Sequence, residues 1–351
     1  MSPFYRGTIP SDFRTLAILF GMVMSSIVCA SLAAEKQPAQ KALDRGNTLL
    51  DSGHFNEAIA ALTEAIRLNP KDSKIYHRRA LAFEKTGQLS KAIADYTEAI
   101  RLDPTAPNPH INRGNVYGKM GNSAKAIADY TEAIQLAPKD ADIHYNRGYT
   151  YFNIGEQAKA ITDFTEAIRI NAKYSNAHYA RGRAYAQKGD FETAIKDYTE
   201  AIRIKPAFAG VYVDRGNAYV QIGAFAKAEA DLSEAIRRAP NDATVYGGRG
   251  EFYLQRRNFD RALADSTKAI DLKPDYAEAY AFRGVVYGMN RDSDRAIADF
   301  DEAIRLSPKL ILAYLGRGLV YKEMGEKAKA DEDFAKARSL GWKKGQPVPK
   351  P

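Results

Sequence analysis

The sequence predicts an all-α fold, a solenoid of antiparallel helix hairpins stacked in tandem, on three observations. Proline recurs every 34 residues, at Pro70, Pro104, Pro138, Pro206, Pro240, Pro274 and Pro308, with Ala172 breaking the series. Glycine keeps the same interval at Gly46, Gly114, Gly148, Gly182, Gly216, Gly250, Gly284 and Gly318, and alanine keeps it from Ala58 to Ala330. Within each interval the apolar spacing is helical twice over. A fixed period of this length marks supersecondary units that bury apolar surface against their neighbours.

The N-terminal segment, 1–34, stands outside the period. Arg6 and Arg14 precede an apolar run from Leu16 to Ala30, and Ser31, Ala33 and Ala34 follow. That layout predicts an export signal cleaved after Ala30, Ala33 or Ala34. The alternative is a retained membrane anchor over 16–34, which approaches bilayer-spanning length. Cys29, the sole cysteine, makes no lipoprotein signal, because Val28 stands where a small residue is needed. Cleavage would also remove the only thiol, so no disulfide is expected.

Residues 35–344 form the predicted solenoid, with units beginning at 39, 73, 107, 141, 175, 209, 243, 277 and 311. In unit 107–140, Ile111, Val116 and Tyr117 share one helix, and Ala126, Ile127, Tyr130, Ala133 and Ile134 share the next. Gly121 between them suits a left-handed helix cap. Pro138 ends the second helix and admits the following unit. The periodic glycines and alanines, such as Gly148 and Ala160, are expected to let paired helices touch. The proline-rich end, 345–351, reads as a disordered tail.

The order of glycine, tyrosine, alanine, aromatic and small residue, seen as Gly148, Tyr151, Ala160, Phe164 and Ala167, resembles the tetratricopeptide repeat, with His144 in a slot where that family places a large aromatic. Pentatricopeptide arrays differ in period. The resemblance implies a right-handed superhelix whose first helices line a concave face that holds peptide segments of partner proteins. It implies no enzyme activity and no cofactor.

One charged pattern departs from that family's usual leucine. Arginine holds the same slot at Arg45, Arg79, Arg113, Arg147, Arg181, Arg215, Arg249, Arg283 and Arg317. Aspartate holds one slot of the second helix at Asp95, Asp129, Asp163, Asp197, Asp231, Asp265, Asp299 and Asp333. A ladder of guanidinium–carboxylate forks is expected, with an anion-binding stripe as the alternative. Ala61 leaves Arg45 as the odd member.

His110, His144 and His178 recur at the period and could suggest a metal, but Tyr76, Tyr212, Tyr246, Tyr280 and Tyr314 hold their slot elsewhere. Packed helices lie roughly 8–10 Å apart, and zinc–nitrogen bonds are about 2.0–2.1 Å. These rings are therefore expected to pack as aromatics, with no metal site. No phosphate loop or nucleophile–base pair stands out, which predicts a non-enzyme.

Carrying the family's groove-facing slots over gives an uneven surface. The early units present Asp44, Asn47, Lys74 and Arg78. The middle presents Asn112, Asn115, Tyr145, Asn146, Tyr149, Phe152, Asn153, Tyr179 and Arg183, a mixture of amides and aromatics suited to a peptide backbone. The late units present an apolar set, Phe282, Val285, Met289, Leu312, Leu315 and Leu319, either a second docking patch or one covered by the tail or another copy. Asn115 and Asn146 fit two slots of the family's carboxylate clamp, but Ile111, Asn176 and Ala180 replace its cations, so no clamp is expected.

Unit 243–276 reads as the weakest and as a compliant joint. Gly247 and Gly248 join Gly250, Arg257 replaces the turn glycine, and Ser266 replaces the core aromatic. Arg338 replaces a periodic isoleucine, so the last helix should cap the stack. Lys and Arg number 51 against 43 Asp and Glu, net +8, and loss of 1–34 would leave +7. These charges are interspersed, which argues against nucleic acid. The expected function is an exported, periplasmic or membrane-anchored adaptor that binds other proteins. The alternatives are a self-assembling homo-oligomeric array and, third, a polyanion- or RNA-binding array.

Overall fold

The structure is a computed structural model and describes residues 37–343. The expected export segment and the tail from Gly345 lie outside the described residues. Among these residues eighteen helices follow one another and no strand occurs. They fall into two bodies divided after Glu156.

The N-terminal body holds α1 (37–51), α2 (Phe55–Leu68), α3 (Ser73–Lys85), α4 (Leu89–Leu102), α5 (Pro107–Lys119), α6 (Ser123–Leu136) and α7 (Ala141–Asn153). The C-terminal body holds α8 (Gln157–Ile170), α9 (Ser175–Gln187), α10 (Phe191–Ile204), α11 (Ala209–Gln221), α12 (Phe225–Arg238) and α13 (Ala243–Gln255). It continues through α14 (Phe259–Leu272), α15 (Ala277–Met289), α16 (Ser293–Leu306), α17 (Ile311–Glu323) and α18 (Lys327–Ser339). Hairpins such as α3–α4, α5–α6, α9–α10 and α15–α16 are the most extensively packed pairs, and within each body the second helix of one hairpin packs on the first helix of the next. Each body is therefore an α-solenoid of stacked hairpins, as the period predicts.

Local sequence sets the element ends. Asp72, Asp140 and Asp242 cap α3, α7 and α13, each side chain accepting a first-turn amide hydrogen. Between paired helices Gly121 takes φ 75°, the left-handed region expected of it. Arg257 and Arg291 hold the same turn position at φ 56° and 62°. Arg257 stood out in the sequence and Arg291 did not, because its hairpin is otherwise regular.

The periodic glycine answers chiefly to a ring rather than to the alanine. A Cβ on Gly182 would sit 2.7 Å from the Tyr198 ring and 3.3 Å from the Ala194 carbonyl oxygen. A Cβ on Gly316 would come within 2.3 Å of Phe300, which already lies against Gly284. The paired helices thus touch at the glycine as expected, and the buried aromatic fills the space the glycine leaves.

The arginine ladder is real and ties more than its own hairpin. In α9, Arg181 donates through Nε and Nη2 to both oxygens of Asp197 on α10, at 2.8 and 2.7 Å. Its Nη1 reaches back 3.1 Å to the Thr165 hydroxyl on α8, in the preceding hairpin. The same forks join Arg79 to Asp95, Arg113 to Asp129, Arg215 to Asp231, Arg249 to Asp265, Arg283 to Asp299 and Arg317 to Asp333. Backward bonds run from Arg79 to Thr63, Arg113 to Thr97, Arg147 to Thr131 and Arg215 to Thr199. Arg317 instead reaches Asp301. Burial pushes the Asp197 carboxyl up, but Arg181 and His178 pull it down further, so it titrates below the ordinary 3.8. Arg45, facing Ala61, is exposed. The guanidiniums of Arg79, Arg113, Arg181, Arg215, Arg249, Arg283 and Arg317 are consumed by these pairs, which argues against the anion-stripe alternative.

The recurrent histidines pack as aromatics. The His178 Nε2 lies 3.2 Å from the Ala172 carbonyl and the His144 Nε2 3.3 Å from that of Pro138. Tyr76 and Tyr314 make the same bond with their hydroxyls, donating to the carbonyls of Pro70 and Pro308 at 3.2 Å. Imidazole and phenol share a slot because both put a donor six residues back.

Hairpin α13–α14 differs from the rest. Ser266 is fully buried and its hydroxyl has no hydrogen-bond partner. The α12–α13 seam is the thinnest between hairpins of this body. Gly247 is nevertheless occupied, since a Cβ there would fall 2.7 Å from the Tyr276 hydroxyl. At the C-terminal end, Arg338 is exposed on α18 while Trp342 and Leu340 pack on Tyr314, Leu315 and Ala337. That polar outer face fits a capping helix.

Candidate functional site

Within each body first helices touch successive first helices, α5 to α7, then α9 to α11, α13, α15 and α17. In each body they form a layer whose outward side chains are those no seam consumes. Three cavities open on these two layers.

In the N-terminal body a cavity of ≈ 410 Å³ is lined by Asn115 of α5, Asn146, Tyr149 and Asn153 of α7, and Glu84 and Lys119. Its two charges cancel: the Lys119 Nζ lies 2.6 Å from the Glu84 carboxylate. The Tyr130 hydroxyl donates to Asn115 Oδ1 at 2.7 Å, which fixes the amide and turns its Nδ2 toward the cavity. Asn112 is also held, its Nδ2 2.9 Å from the His77 Nε2. Burial and the neighbouring Arg78 push the His77 imidazole down to about 4, so it is neutral and accepts that bond. Tyr145, Tyr149 and Phe152 stack along α7 with centroids 6.2 and 6.4 Å apart. Tyr149 is 43% exposed, whereas Phe152 is 8% exposed. Phe152 therefore belongs to the wall's packing and offers a ligand no face, a correction to its place in the expected set.

In the C-terminal body a second cavity, ≈ 440 Å³, is lined by Arg183 of α9, Asp214 and Asn217 of α11, and Glu251 of α13, over Ala186, Ala218 and Tyr198. The Tyr179 hydroxyl donates to Asp214 Oδ2 at 2.8 Å, and the Arg183 Nε stands 4.0 Å from the same oxygen. Burial pushes the Asp214 carboxyl up, more than Tyr179 and Arg183 pull it down. The sequence reading brought Tyr179 and Arg183 to this surface but missed Asp214, Asn217 and Glu251. The signal was present: Asn217 and Glu251 hold the slot of Asn115, Tyr149 and Arg183.

The third cavity, ≈ 170 Å³, lies between α15 and α17 and is lined by Val285, Met289 and Leu319 with Gly284, Gly288 and Gly316. Met289 and Leu319 are 58% and 54% exposed, and Leu312 is half-buried. Phe282 and Leu315 are buried, at 4% each, and are corrected to core positions. Flanking hairpins carry glycine in the slot of Phe282, at Gly248 and Gly316, so no bulky neighbour displaces its ring outward.

The exposed basic residues of the second helices are largely paired with a carboxylate one turn away. Arg67 binds Glu64, Arg101 binds Glu98, Arg203 binds Glu200 and Arg305 binds Glu302. These arginines are therefore compensated locally and add no basic stripe to their helices.

The stacked hairpins, together with a layer of first helices open to ligands, define a helical-repeat interaction scaffold. Family profiles described as tetratricopeptide repeat match residues 43–107, 213–266 and 253–311, with further ones at 95–128, 141–174 and 311–340. A TPR repeat profile matches 120–155 and 182–223. The chain belongs to the tetratricopeptide-repeat family. None of the curated proteins compared matches it. Among solved structures, a tetratricopeptide repeat protein from Parabacteroides merdae ATCC 43184 is 21% identical, covering 71% of this chain and 99% of its own, with TM-score 0.55. The APC/C hetero-tetramer Cut9–Hcn1 is 15% identical over 86% of this chain and 73% of its own, with TM-score 0.56. MamA is 27% identical over 49% of this chain and 94% of its own, with TM-score 0.46.

Proposed function

We propose that the chain is an exported adaptor whose first helices hold extended segments of partner proteins, and that it binds rather than catalyses. The amide cavity of the N-terminal body carries this reading. Asn146 and Asn153 can each donate to and accept from a peptide backbone and Asn115 can donate to one, the Glu84–Lys119 pair leaves no net charge there, and Tyr149 supplies amphipathic area. Membership of a family of protein-binding scaffolds supports it. The export part of this reading is supported by Arg6, Arg14 and the apolar run Leu16–Ala30, a layout that suits a periplasmic protein or one anchored on the membrane facing the periplasm.

The test is an array of capped ten-residue peptides probed with the intact protein and with a triple variant, Asn115→Ala, Asn146→Ala and Tyr149→Ala. Binding of a peptide subset, weakened at least tenfold in the variant, is expected. Equal retention by both proteins would contradict it. The exposed Met289 and Leu319 beside the α15–α17 cavity favour a second reading, self-association through that patch. Light scattering decides it: a concentration-independent monomer leaves the adaptor alone.

A further inference from the structure

The C-terminal cavity contains a carboxylate that its neighbours leave half-satisfied. Both contacts of Asp214, the Tyr179 hydroxyl and the more distant Arg183, fall on Oδ2. Oδ1 takes no hydrogen bond from either neighbour. The ladder shows what full compensation looks like in the same fold: Asp197 has both oxygens within 2.8 Å of guanidinium nitrogens. Glu251 lines the same cavity from α13. Ala186 and Phe191, both half-buried, give an apolar floor beside them.

We infer that this cavity selects a lysine or arginine side chain of the bound polypeptide, its head at Asp214 Oδ1 and its stem along Ala186 and Phe191. The inference rests on the adaptor reading and adds the residue chemistry that the second body would recognise. Charge complementarity commits it. The free protein bears the cost of a partly buried carboxylate, as the raised Asp214 carboxyl shows, and an arriving cation removes that cost. A long aliphatic stem matches the floor, since lysine and arginine lay their methylenes on apolar surface while the head stays polar. A metal ion is the poorer occupant, because no group of three His, Cys, Asp or Glu converges among the described residues.

The experiment titrates the intact protein with N-acetyl-lysine methylamide, N-acetyl-arginine methylamide and the uncharged N-acetyl-norleucine methylamide, following backbone amide resonances. The two cations should shift amides of α9, α11 and α13 with at least tenfold tighter binding than norleucine. Asp214→Asn, which keeps an acceptor for Tyr179, should erase that difference with the circular dichroism unchanged. Norleucine binding as tightly as lysine, or discrimination surviving in Asp214→Asn, would overturn the inference. Peptides that bind the array without preference for a basic residue would sink it too, while leaving the adaptor reading intact. Discrimination among the capped residues with no peptide bound would instead count against the adaptor reading and leave the cation site standing.

Discussion

Arg181 and Arg183 lie two residues apart on α9 and belong to different regions. Arg181 enters the seam, where Asp197 and Thr165 take its donors and only 19% of its side chain is exposed. Arg183 lies on the first-helix layer, 41% exposed and 4.0 Å from Asp214. The seam repeats almost without variation from hairpin to hairpin because each guanidinium must serve two helices at once. The first-helix positions vary instead, with amides at Asn115 and Asn146 in the N-terminal body and, in the C-terminal body, charges at Arg183 and Asp214 and apolar chains at Met289 and Leu319, because no ladder contact fixes those positions. The lesson is that position in the repeat, rather than residue type, separates architecture from recognition.

That contrast is broken most forcefully at the paired carboxylates. Asp197→Ala strands a largely buried guanidinium and should cost about 3 kcal/mol, the scale for removing one partner of a buried pair. Faster amide exchange across α9 and α10 would report it. Asp214→Asn on the layer should be neutral or slightly stabilising. Equal losses in the two variants would dissolve the distinction between seam and layer.

A smaller effect separates adjacent glycines of α13. Gly247→Ala drives a methyl into the Tyr276 phenol and should destabilise by roughly 1–2 kcal/mol. Gly248→Ala meets only Val213 at 3.5 Å and should stabilise by about 0.5–1 kcal/mol. Thermal melts of the two variants should move in opposite directions. Amide exchange in α13 should also run faster than in α9, given the thin α12–α13 seam and the unsatisfied Ser266 hydroxyl.

The smallest effect is a difference in pH dependence. Asp197 titrates below its ordinary value, so its stabilisation is present above 3.8 and lost as pH falls through the lowered value. Asp214 titrates above it, so its contribution is complete below 3.8 and lost as pH rises through the raised value. The melting temperature of Asp214→Asn should therefore gain on the parent as pH climbs from about 4, by less than about 1 kcal/mol because the side chain is partly exposed. A constant gap would remove Asp214 as a strained group.

Period and patterning made the hairpins, the turn glycine Gly121 and the arginine–aspartate partners readable in the sequence. Contacts that join one repeat to the next were harder to see. The bond from Arg181 to Thr165 spans 16 residues backward, the mirror of the forward reach to Asp197, and only coordinates show one guanidinium doing both. The candidate site was half legible. Slot arithmetic brought Asn115, Asn146 and Arg183 to the layer, but it could not show that Phe152, Phe282 and Leu315 turn inward, since that depends on the room beside each ring or branch. Asp214 escaped notice because its importance lies in how few groups compensate it.

The most direct measurement is the footprint of an array-selected peptide on the amide spectrum of the intact protein. Shifts gathered on α5 and α7, and on α9, α11 and α13, are what recognition by first helices requires. Shifts gathered on α4, α6, α10 and α12 would place recognition on the opposite layer and contradict it.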